Sequence, residues 1–108
     1  MATAKLVVIF LLPQNENAFE QAYKDSRLPM IEAKLAGLNR FVASRIVSSP
    51  LGQTRTYRIE EAHFSDLKTL TACMDSEGCK QVLEHARSIS TGGAPIVLVC
   101  DEESFLFW

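Results

Sequence analysis

The sequence predicts an α+β domain with the ferredoxin-like element order β-α-β-β-α-β and a four-stranded antiparallel sheet. Two apolar runs rich in β-branched residues, KLVVIFLL at 5–12 and APIVLVCDEE at 94–103, read as the first and last strands. Between them, two helical patterns flank a pair of strands joined by the turn PLGQ. With 108 residues, the chain fits a single domain spanning 1–108.

The first helix is predicted after Pro13. Asn15 or Asn17 can cap it, because an asparagine side chain accepts hydrogen bonds from the free N–H groups of a first helical turn. Phe19 and Tyr23 recur at four-residue spacing and therefore share one face of the helix. That face is expected to pack on the sheet.

Pro29 lies inside the same helical pattern. A proline removes one helical hydrogen bond, and its ring clashes with the carbonyl group four residues earlier, here that of Asp25. We therefore expect the helix to kink or restart at Pro29. It is predicted to end at Gly37, since glycine suits a C-terminal cap.

The middle of the chain predicts a hairpin followed by a broken helix. Strands are expected over 40–49, RFVASRIVSS, and 54–64, TRTYRIEEAHF. Ser65 is the predicted cap of the next helix, and Asp75 or Ser76 is the predicted cap of a second helical segment. In this topology both helical regions lie on the same side of the sheet.

The other side of the sheet is expected to need a cover. The first and last strands are apolar on both faces, whereas the helices cover only one. Because soluble monomers rarely expose an apolar face of this size, we expect a homodimer whose copies pack through the sheet face. The apolar tail at 105–108 fits either a loosely packed chain end or an arm that packs on its own or a partner subunit.

Composition argues against several classes of function. A net charge of −2 without a basic run argues against a nucleic-acid partner. No apolar run reaches the roughly 20 residues needed to cross a bilayer, and no signal-peptide pattern is present, so a cytoplasmic protein without membrane contact is expected. Three cysteines without a C-x-x-C pair, and only two histidines, predict reduced thiols and no metal site.

The predicted third strand is unusually polar for a central strand. Tyr57, Glu61 and His63 are expected to share one face, and a mixed aromatic, acidic and imidazole face suits a pocket for an organic ligand. The other charged residues of the strand are expected to form cross-strand ion pairs at a dimer edge: Arg55, Arg58 and Glu60.

Arg27 continues the stripe of Phe19 and Tyr23 on the first helix, and two interpretations are open. Its stem can cover apolar surface while the guanidinium group reaches water or pairs with Asp25 or Glu32. Alternatively, Arg27 is a cation at the mouth of a pocket, where it could hold a carboxylate, a phenolate or an enolate.

Several short motifs occur in order along the chain. They are YKDSRLP at 23–29, the pair Gly37 and Leu38, the polar hairpin at 44–66 and the EG pair within 75–86. Together they resemble the EthD-like family of the dimeric α+β barrel superfamily, over nearly the whole chain. The family pattern at 23–29 is Y-x-x-x-H-x-P. Arg27 stands at the histidine position, and arginine cannot give up its proton to act as a base.

The resemblance implies an obligate dimer, a small cavity between the sheet and the helices, and no cofactor. Family members are linked to the degradation of ethers and other small organic compounds, and relatives in the superfamily are cofactor-free monooxygenases, isomerases and cyclases. If the chain is an enzyme, the candidate catalytic residues are His63 and Tyr57, and the candidate substrate-binding residues are Arg27, Tyr23, Glu61 and Phe19. The alternative is a non-catalytic ligand-binding or accessory protein of an oxygenase system.

Overall fold

Four antiparallel strands form one sheet in the order β2-β3-β1-β4. The computed structural model describes residues 3–108. The strands are β1 (Thr3–Leu11), β2 (Arg40–Arg45), β3 (Thr56–Phe64) and β4 (Ile96–Glu102). β2 is shorter than predicted, because residues 46–49 belong to the hairpin loop. The two long strands β1 and β3 pair in the centre, as the predicted ferredoxin-like topology requires.

The helical layer consists of two separate stretches. In order, the elements are α1 (Glu16–Ala22), a π-helical turn (Tyr23–Arg27), α2 (Leu28–Lys34), α3 (Leu67–Met74) and α4 (Glu77–Ser88). The predicted division of the second helical region into two helices is confirmed. The helices pack against the face of the sheet that contains Leu6 and Phe10 of β1.

The helix caps follow the expected chemistry, with one correction. Asn15 caps α1 and Ser76 caps α4 through their side-chain oxygens. For α3 the prediction of Ser65 is wrong, because the cap is Asp66. Its carboxylate accepts a hydrogen bond from the N–H of Thr69 at 2.7 Å. A carboxylate is favoured there because it also interacts with the positive end of the helix dipole.

The π-helical turn lies directly before Pro29. In a π-helical turn the N–H of residue i+5 donates to the carbonyl of residue i, as the N–H of Leu28 does to Tyr23. Pro29 is then the second residue of α2, so the helical geometry changes next to the proline, as expected. α2 ends at Lys34. The predicted cap Gly37 lies in the following turn with a φ of 86°, a conformation that favours glycine.

A β-bulge interrupts the pairing of β1 with β3. Phe10 lies opposite Arg58, and the next residue Leu11 lies opposite Thr56. Tyr57 is therefore an extra residue of β3 without a partner across from it on β1. The bulge shifts by one residue which side chains of β3 point to each face of the sheet. The Tyr57 ring therefore packs on the helix side, against Phe19 and its neighbours, and not on the opposite face.

The core lies between the sheet and the helices in two clusters. One is mainly aliphatic and includes Leu6, Ile31, Phe64, Leu70 and Val82. The other, here called the aromatic cluster, contains Val8, Phe10, Phe19, Tyr23 and Ala86. Since Tyr23 opens the π-helical turn, the aromatic cluster and the change of helical geometry meet at one place.

The face of the sheet opposite the helices remains open in the single chain. Ile96 and Leu98 of the edge strand β4 are each nearly half exposed. The tail at 105–108 is 71% to 103% exposed, so the interpretation that it packs on its own subunit is wrong. Over residues 3–108 the structure contains no helix long and apolar enough to cross a bilayer.

Candidate functional site

Arg27 forms a buried ion pair with Glu60 between the helical layer and the central strand β3. Arg27 Nε donates to Glu60 Oε2 at 2.6 Å, and Arg27 Nη2 donates to Glu60 Oε1 at 2.7 Å. The two side chains are 0% and 1% exposed. This two-pronged geometry is the strong form of an arginine–carboxylate contact, since it matches both donors to both acceptors.

The remaining edge of the Arg27 guanidinium group points toward α4. Nη1 donates to the carbonyl oxygen of Val82 at 3.0 Å and lies 3.3 Å from Nδ1 of His85. Burial and the nearby Arg27 charge lower the pKa of His85, so its ring is neutral and Nδ1 can accept a hydrogen bond. The guanidinium carbon also lies 5.3 Å from the ring centroid of Phe10.

These contacts correct both interpretations of Arg27. Its partner is Glu60 on the sheet, not Asp25 or Glu32 on its own helix, and its head does not reach water. Nor does it line any of the three cavities described below, so it does not stand at a pocket mouth. A buried charge needs an opposite charge close by, and among residues 3–108 Arg27 finds it in Glu60 on the facing strand.

A second polar group joins α1 to β3 through Glu20. Arg58 Nη2 donates to Glu20 Oε1 at 2.6 Å, and the Tyr57 hydroxyl donates to Glu20 Oε2 at 2.9 Å. The Tyr57 ring packs edge-on against Phe19, with ring centroids 5.5 Å apart. The expected cross-strand pairing of Arg58 and Glu60 is therefore wrong, because both residues find their partners on the helices.

Tyr23 lies between these two ion pairs. Its side chain is buried, and the guanidinium carbon of Arg58 lies 4.3 Å from its ring centroid. Within the described chain, neither the Tyr23 hydroxyl nor Nε of Arg58 has a hydrogen-bond partner, although both atoms are buried. We call these two groups the donor pair. An unsatisfied buried donor costs about 1–3 kcal/mol, so such groups call for an explanation.

Glu60 lies close to the Tyr23 hydroxyl but outside hydrogen-bond geometry, although each Glu60 oxygen that accepts from Arg27 could accept a second hydrogen bond. Burial and the Glu60 charge raise the pKa of Tyr23 far above its usual value. The hydroxyl therefore keeps its proton at neutral pH and can serve as a hydrogen-bond donor, not as a base.

A cavity of about 290 Å³ lies beside the donor pair, and we call it the helix–sheet cavity. Its lining is mostly apolar in surface and comes from α1, the π-helical turn, α2, β2 and β3: Glu20, Tyr23, Lys24, Leu28, Ala43 and Arg58. A second apolar cavity of about 280 Å³ lies on the other side of Phe19, between α1 and the end of α4. A wider, more open depression of about 580 Å³ follows the hairpin loop and reaches Tyr57.

Glu61 and His63 lie on the opposite, open face of the sheet. His63 Nε2 is 3.4 Å from Glu61 Oε1, and His63 Nδ1 is 3.6 Å from Glu102 Oε1. Lys5 completes this open-face cluster, with Nζ at 2.8 Å from Glu61 and 3.2 Å from Glu102. The predicted single face of Tyr57, Glu61 and His63 is thus divided by the bulge, and one pocket cannot contain all three.

The open-face cluster contains three groups that could bind a metal ion, Glu61, His63 and Glu102, whose ligand atoms lie within 4.8 Å of one another. Their geometry favours an ion-pair cluster. The two carboxylates approach different nitrogens of the His63 ring, and the Lys5 ammonium group already contacts both carboxylates. A divalent cation would have to displace Lys5 and share one nitrogen.

Sequence reasoning placed Phe19 and Tyr23 on the correct face, but it missed Glu20 and Arg58 as site residues. The signal for Arg58 was present, because a charged residue on a central strand needs a partner or a polar cavity. Glu20 gave no comparable signal, since it is one of several acidic residues in a helix and its role depends on the packing of α1 on β3.

We predict that breaking the Arg27–Glu60 pair strongly destabilises the fold. Arg27→Met leaves the Glu60 carboxylate buried without its cation, and we expect the free energy of unfolding to fall by about 3–5 kcal/mol. Urea denaturation at one fixed protein concentration measures it. The double variant Arg27→Met/Glu60→Leu should recover most of the loss, and the exposed control Arg87→Met should change stability by less than about 0.5 kcal/mol. A double variant as unstable as the single one would contradict the prediction.

The contacts of Glu20 predict that part of the folding stability is lost in acid. Burial alone would raise its pKa, but the hydrogen bonds from Arg58 and Tyr57 outweigh burial, and the pKa lies below its ordinary value of 4.5. Its stabilising contribution is therefore complete above that value and is lost as the pH falls through the folded-state pKa. We expect wild type to be more stable than Glu20→Gln at about pH 6 and to lose this advantage by about pH 3.

Urea midpoints measured across this pH range test the prediction for Glu20. The matched control is Glu32→Gln, an exposed glutamate of α2. A stability difference between wild type and Glu20→Gln that does not shrink on acidification would show that the carboxylate charge contributes nothing to the contact with Arg58.

No protein-family profile and no curated protein sequence matches the chain, whereas solved structures do. An ethyl tert-butyl ether D (EthD) family protein from Bacillus halodurans C-125 superposes with a TM-score of 0.83 at 25% identity, over 94% of this chain and 99% of that one. A dimeric ferredoxin-like protein of unknown function from Jannaschia sp. CCS1 gives 0.65 at 19% identity, over 96% and 100%.

A third structure is SnoaB, a cofactor-independent oxygenase from Streptomyces nogalater. It superposes with a TM-score of 0.66 at 14% identity, over 96% of both chains. At this identity the likeness shows a common fold. The EthD family protein is similar over nearly its whole length, in agreement with the motifs at 23–29 and 37–38. The chain has a ferredoxin-like α+β fold and is similar to an EthD family protein.

Proposed function

We propose that this chain is a homodimeric protein that binds and acts on a small, largely apolar organic compound in the helix–sheet cavity, without a cofactor. The helix–sheet cavity is the observation that carries the proposal. It lies where α1, the π-helical turn and α2 meet β2 and β3, and the ion pair between Arg58 and Glu20 forms part of its lining. A space between two layers leaves its lining without packing contacts, a cost that a bound ligand can offset.

The size and lining of the helix–sheet cavity support the same conclusion. Its volume of about 290 Å³ is close to the lower limit of about 300 Å³ for ligand pockets. Leu28 and Ala43 provide apolar surface, Glu20 and Lys24 provide polar groups from the helical layer, and Arg58 provides one from β3. Ligand pockets combine these properties, since apolar walls provide affinity and a few polar groups fix orientation.

The comparisons agree with a role in small-molecule chemistry. SnoaB is a cofactor-independent oxygenase, and the similar structure from Bacillus halodurans belongs to the family of ethyl tert-butyl ether D. By this analogy, the compound would belong to a degradative, oxidative pathway in the cytoplasm. A fold of this kind serves many reactions, so the function depends on the residues that line the site.

The roles of the candidate residues follow from their positions. Tyr23 lines the helix–sheet cavity and stacks on Phe19, which lines the second cavity instead, and Tyr57 supports Glu20 through its hydroxyl. Arg27 would act indirectly, by holding the π-helical turn on β3. His63 and Glu61 would take part in proton transfer only at a separate site on the open face, next to the partner subunit.

A second function, binding without catalysis, is favoured by one observation. The six described residues that line the helix–sheet cavity include no histidine, and the pKa shifts of Tyr23 and Glu20 make the first a poor base and the second a weak one. On this reading the chain would be a ligand-binding or accessory protein of an oxygenase system.

A ligand titration tests the cavity. We expect ethyl tert-butyl ether or a small aromatic compound to change amide NMR shifts mainly at residues lining the helix–sheet cavity. Ala43→Leu should weaken binding at least tenfold, because the added atoms fill the cavity from β2. Ala72→Leu, at an exposed position of α3, is the matched control and should leave binding unchanged. Shift changes confined to other surfaces would refute the proposed site.

A homodimer through the open face is the second part of the proposal. Ile96 and Leu98 are nearly half exposed there, next to the less exposed Val7 and Ile9 of β1. We expect light scattering at micromolar concentration to give twice the chain mass of 12.0 kDa. Leu98→Lys should shift the protein toward monomer, since it places a charge in an apolar interface. Val47→Lys, in the exposed hairpin loop, should not, and a monomeric wild type would overturn this part of the proposal.

A further inference from the structure

We infer that the apolar tail at 105–108 of one subunit covers the mouth of the helix–sheet cavity of its partner, so that each copy completes the binding site of the other. The inference rests on the proposed function and adds the segment that closes the cavity. The four side chains of the tail are 71% to 103% exposed in the single chain. Four consecutive apolar side chains in water are unfavourable, so the tail needs a surface to pack on.

The open face of the sheet is polar at one end of the strands and apolar at the other. The row at the polar end contains three basic side chains from neighbouring strands: Arg40, His63 and Lys5. The row at the apolar end contains three isoleucines from neighbouring strands: Ile59, Ile9 and Ile96. Arg40 belongs to the open face, because its Nη2 lies 3.5 Å from Nε2 of His63.

This difference between the two ends selects how two copies can face each other. A two-fold axis between the sheets can run along the strands, which sets the polar end on the polar end of the partner. An axis across the strands would instead set the polar end on the isoleucines and bury charged groups against hydrocarbon. The axis therefore runs along the strands, an aligned packing that is common where two sheets stack.

An axis along the strands brings opposite edges of the two sheets together. Because the sheet order is β2-β3-β1-β4, strand β2 of one subunit then lies opposite β4 of the partner. Arg40, at the polar end of β2, faces the end of β4 that carries the partner's Glu102. Arg40 takes part in none of the ion pairs within residues 3–108. The charges at this end are therefore complementary between the two copies.

The tail leaves β4 at this same polar end. β4 ends at Glu102, and the tail begins three residues later, so the partner's tail emerges beside Arg40 at the start of β2. Residues 103–108 span at most about 20 Å when extended. Ala43 lies only about 10 Å further along β2. The tail can therefore pass the free edge of β2 and reach its helix side.

The mouth of the helix–sheet cavity lies at that place. Ala43 lines the cavity from the helix side of β2, and Lys24 and Leu28 line it from the helical layer. All three are exposed in the single chain. The partner's tail would cover Leu28 and Ala43 with apolar side chains and shield the cavity from water. A subunit's own tail begins at the other edge of the sheet, and its direct path to this mouth crosses the face that the partner covers.

The fluorescence of Trp108 tests whether the tail is packed in the dimer, because Trp108 is the only tryptophan of the sequence. We expect wild type to emit at shorter wavelength and to be quenched less by acrylamide than Leu98→Lys, in which the subunits separate. Val47→Lys, the exposed control that stays dimeric, should match wild type.

A mixed dimer shows which subunit the tail contacts. Protein labelled with ¹³C is combined with unlabelled protein, and isotope-filtered NMR detects contacts between the two kinds of subunit. We expect contacts from the unlabelled Trp108 ring to the labelled methyl groups of Leu28 and Ala43. This measurement uses wild type only, so it does not depend on the folding of any variant.

Loss of the aromatic tail should weaken ligand binding without separating the subunits. Phe107→Ser/Trp108→Ser should bind ethyl tert-butyl ether about tenfold more weakly, because the cavity mouth is again open to water. Leu51→Ser, at an exposed apolar residue of the hairpin loop, is the control and should bind like wild type.

Trp108 contacts that stay within one subunit, or a Trp108 equally exposed in wild type and Leu98→Lys, would overturn the inference and leave the proposed cavity and dimer in place. The same holds if the double variant binds the ether as tightly as wild type does. A monomeric wild type would overturn the inference together with the proposed dimer.

Discussion

A guanidinium group and a carboxylate, those of Arg27 and Glu60, meet between the helical layer and the central strand with almost no access to water. Either charge alone would be severely unfavourable there, so the distance between the π-helical turn and β3 has little freedom. Because Tyr23 begins that turn, fixing the turn on β3 also fixes the place where the Tyr23 ring enters the aromatic cluster. The helix–sheet cavity is therefore positioned by a contact that does not line it.

Strand β3 serves two surfaces with different chemistry. Glu60 faces the helices, where cations from both layers neutralise the acidic groups, whereas Glu61 and His63 face the open side together with Lys5. Successive side chains of the strand point to opposite faces of the sheet, which produces this division. The bulge at Tyr57 adds one more side chain to the helix side. Catalytic or binding residues and an oligomer interface can in this way come from a single strand.

Local patterns in the sequence were sufficient to predict the order of the elements, the topology of the sheet and the helix cap at Asn15. These features depend mainly on residues that are close together in the chain. The sequence did not reveal which side chains pair with each other across the fold. The pairing of Arg27 with Glu60 joins residues far apart in sequence, and the bulge that turns Tyr57 to the helix side changes the register by one residue. Neither leaves a periodic signal, since each depends on how two elements are docked. The donor pair is defined by the lack of hydrogen-bond partners among the described residues, and only the three-dimensional structure reveals this.

A π-helical turn contains an additional residue compared with a turn of α-helix. Ordinary α-helical bonding over 23–27 with the same number of residues would rotate every later residue by about 100° around the axis. Ile31 would then leave the core. The π-helical turn therefore absorbs one residue and keeps α2 in phase with α1. A homologue with continuous α-helix in this stretch should be one residue shorter there.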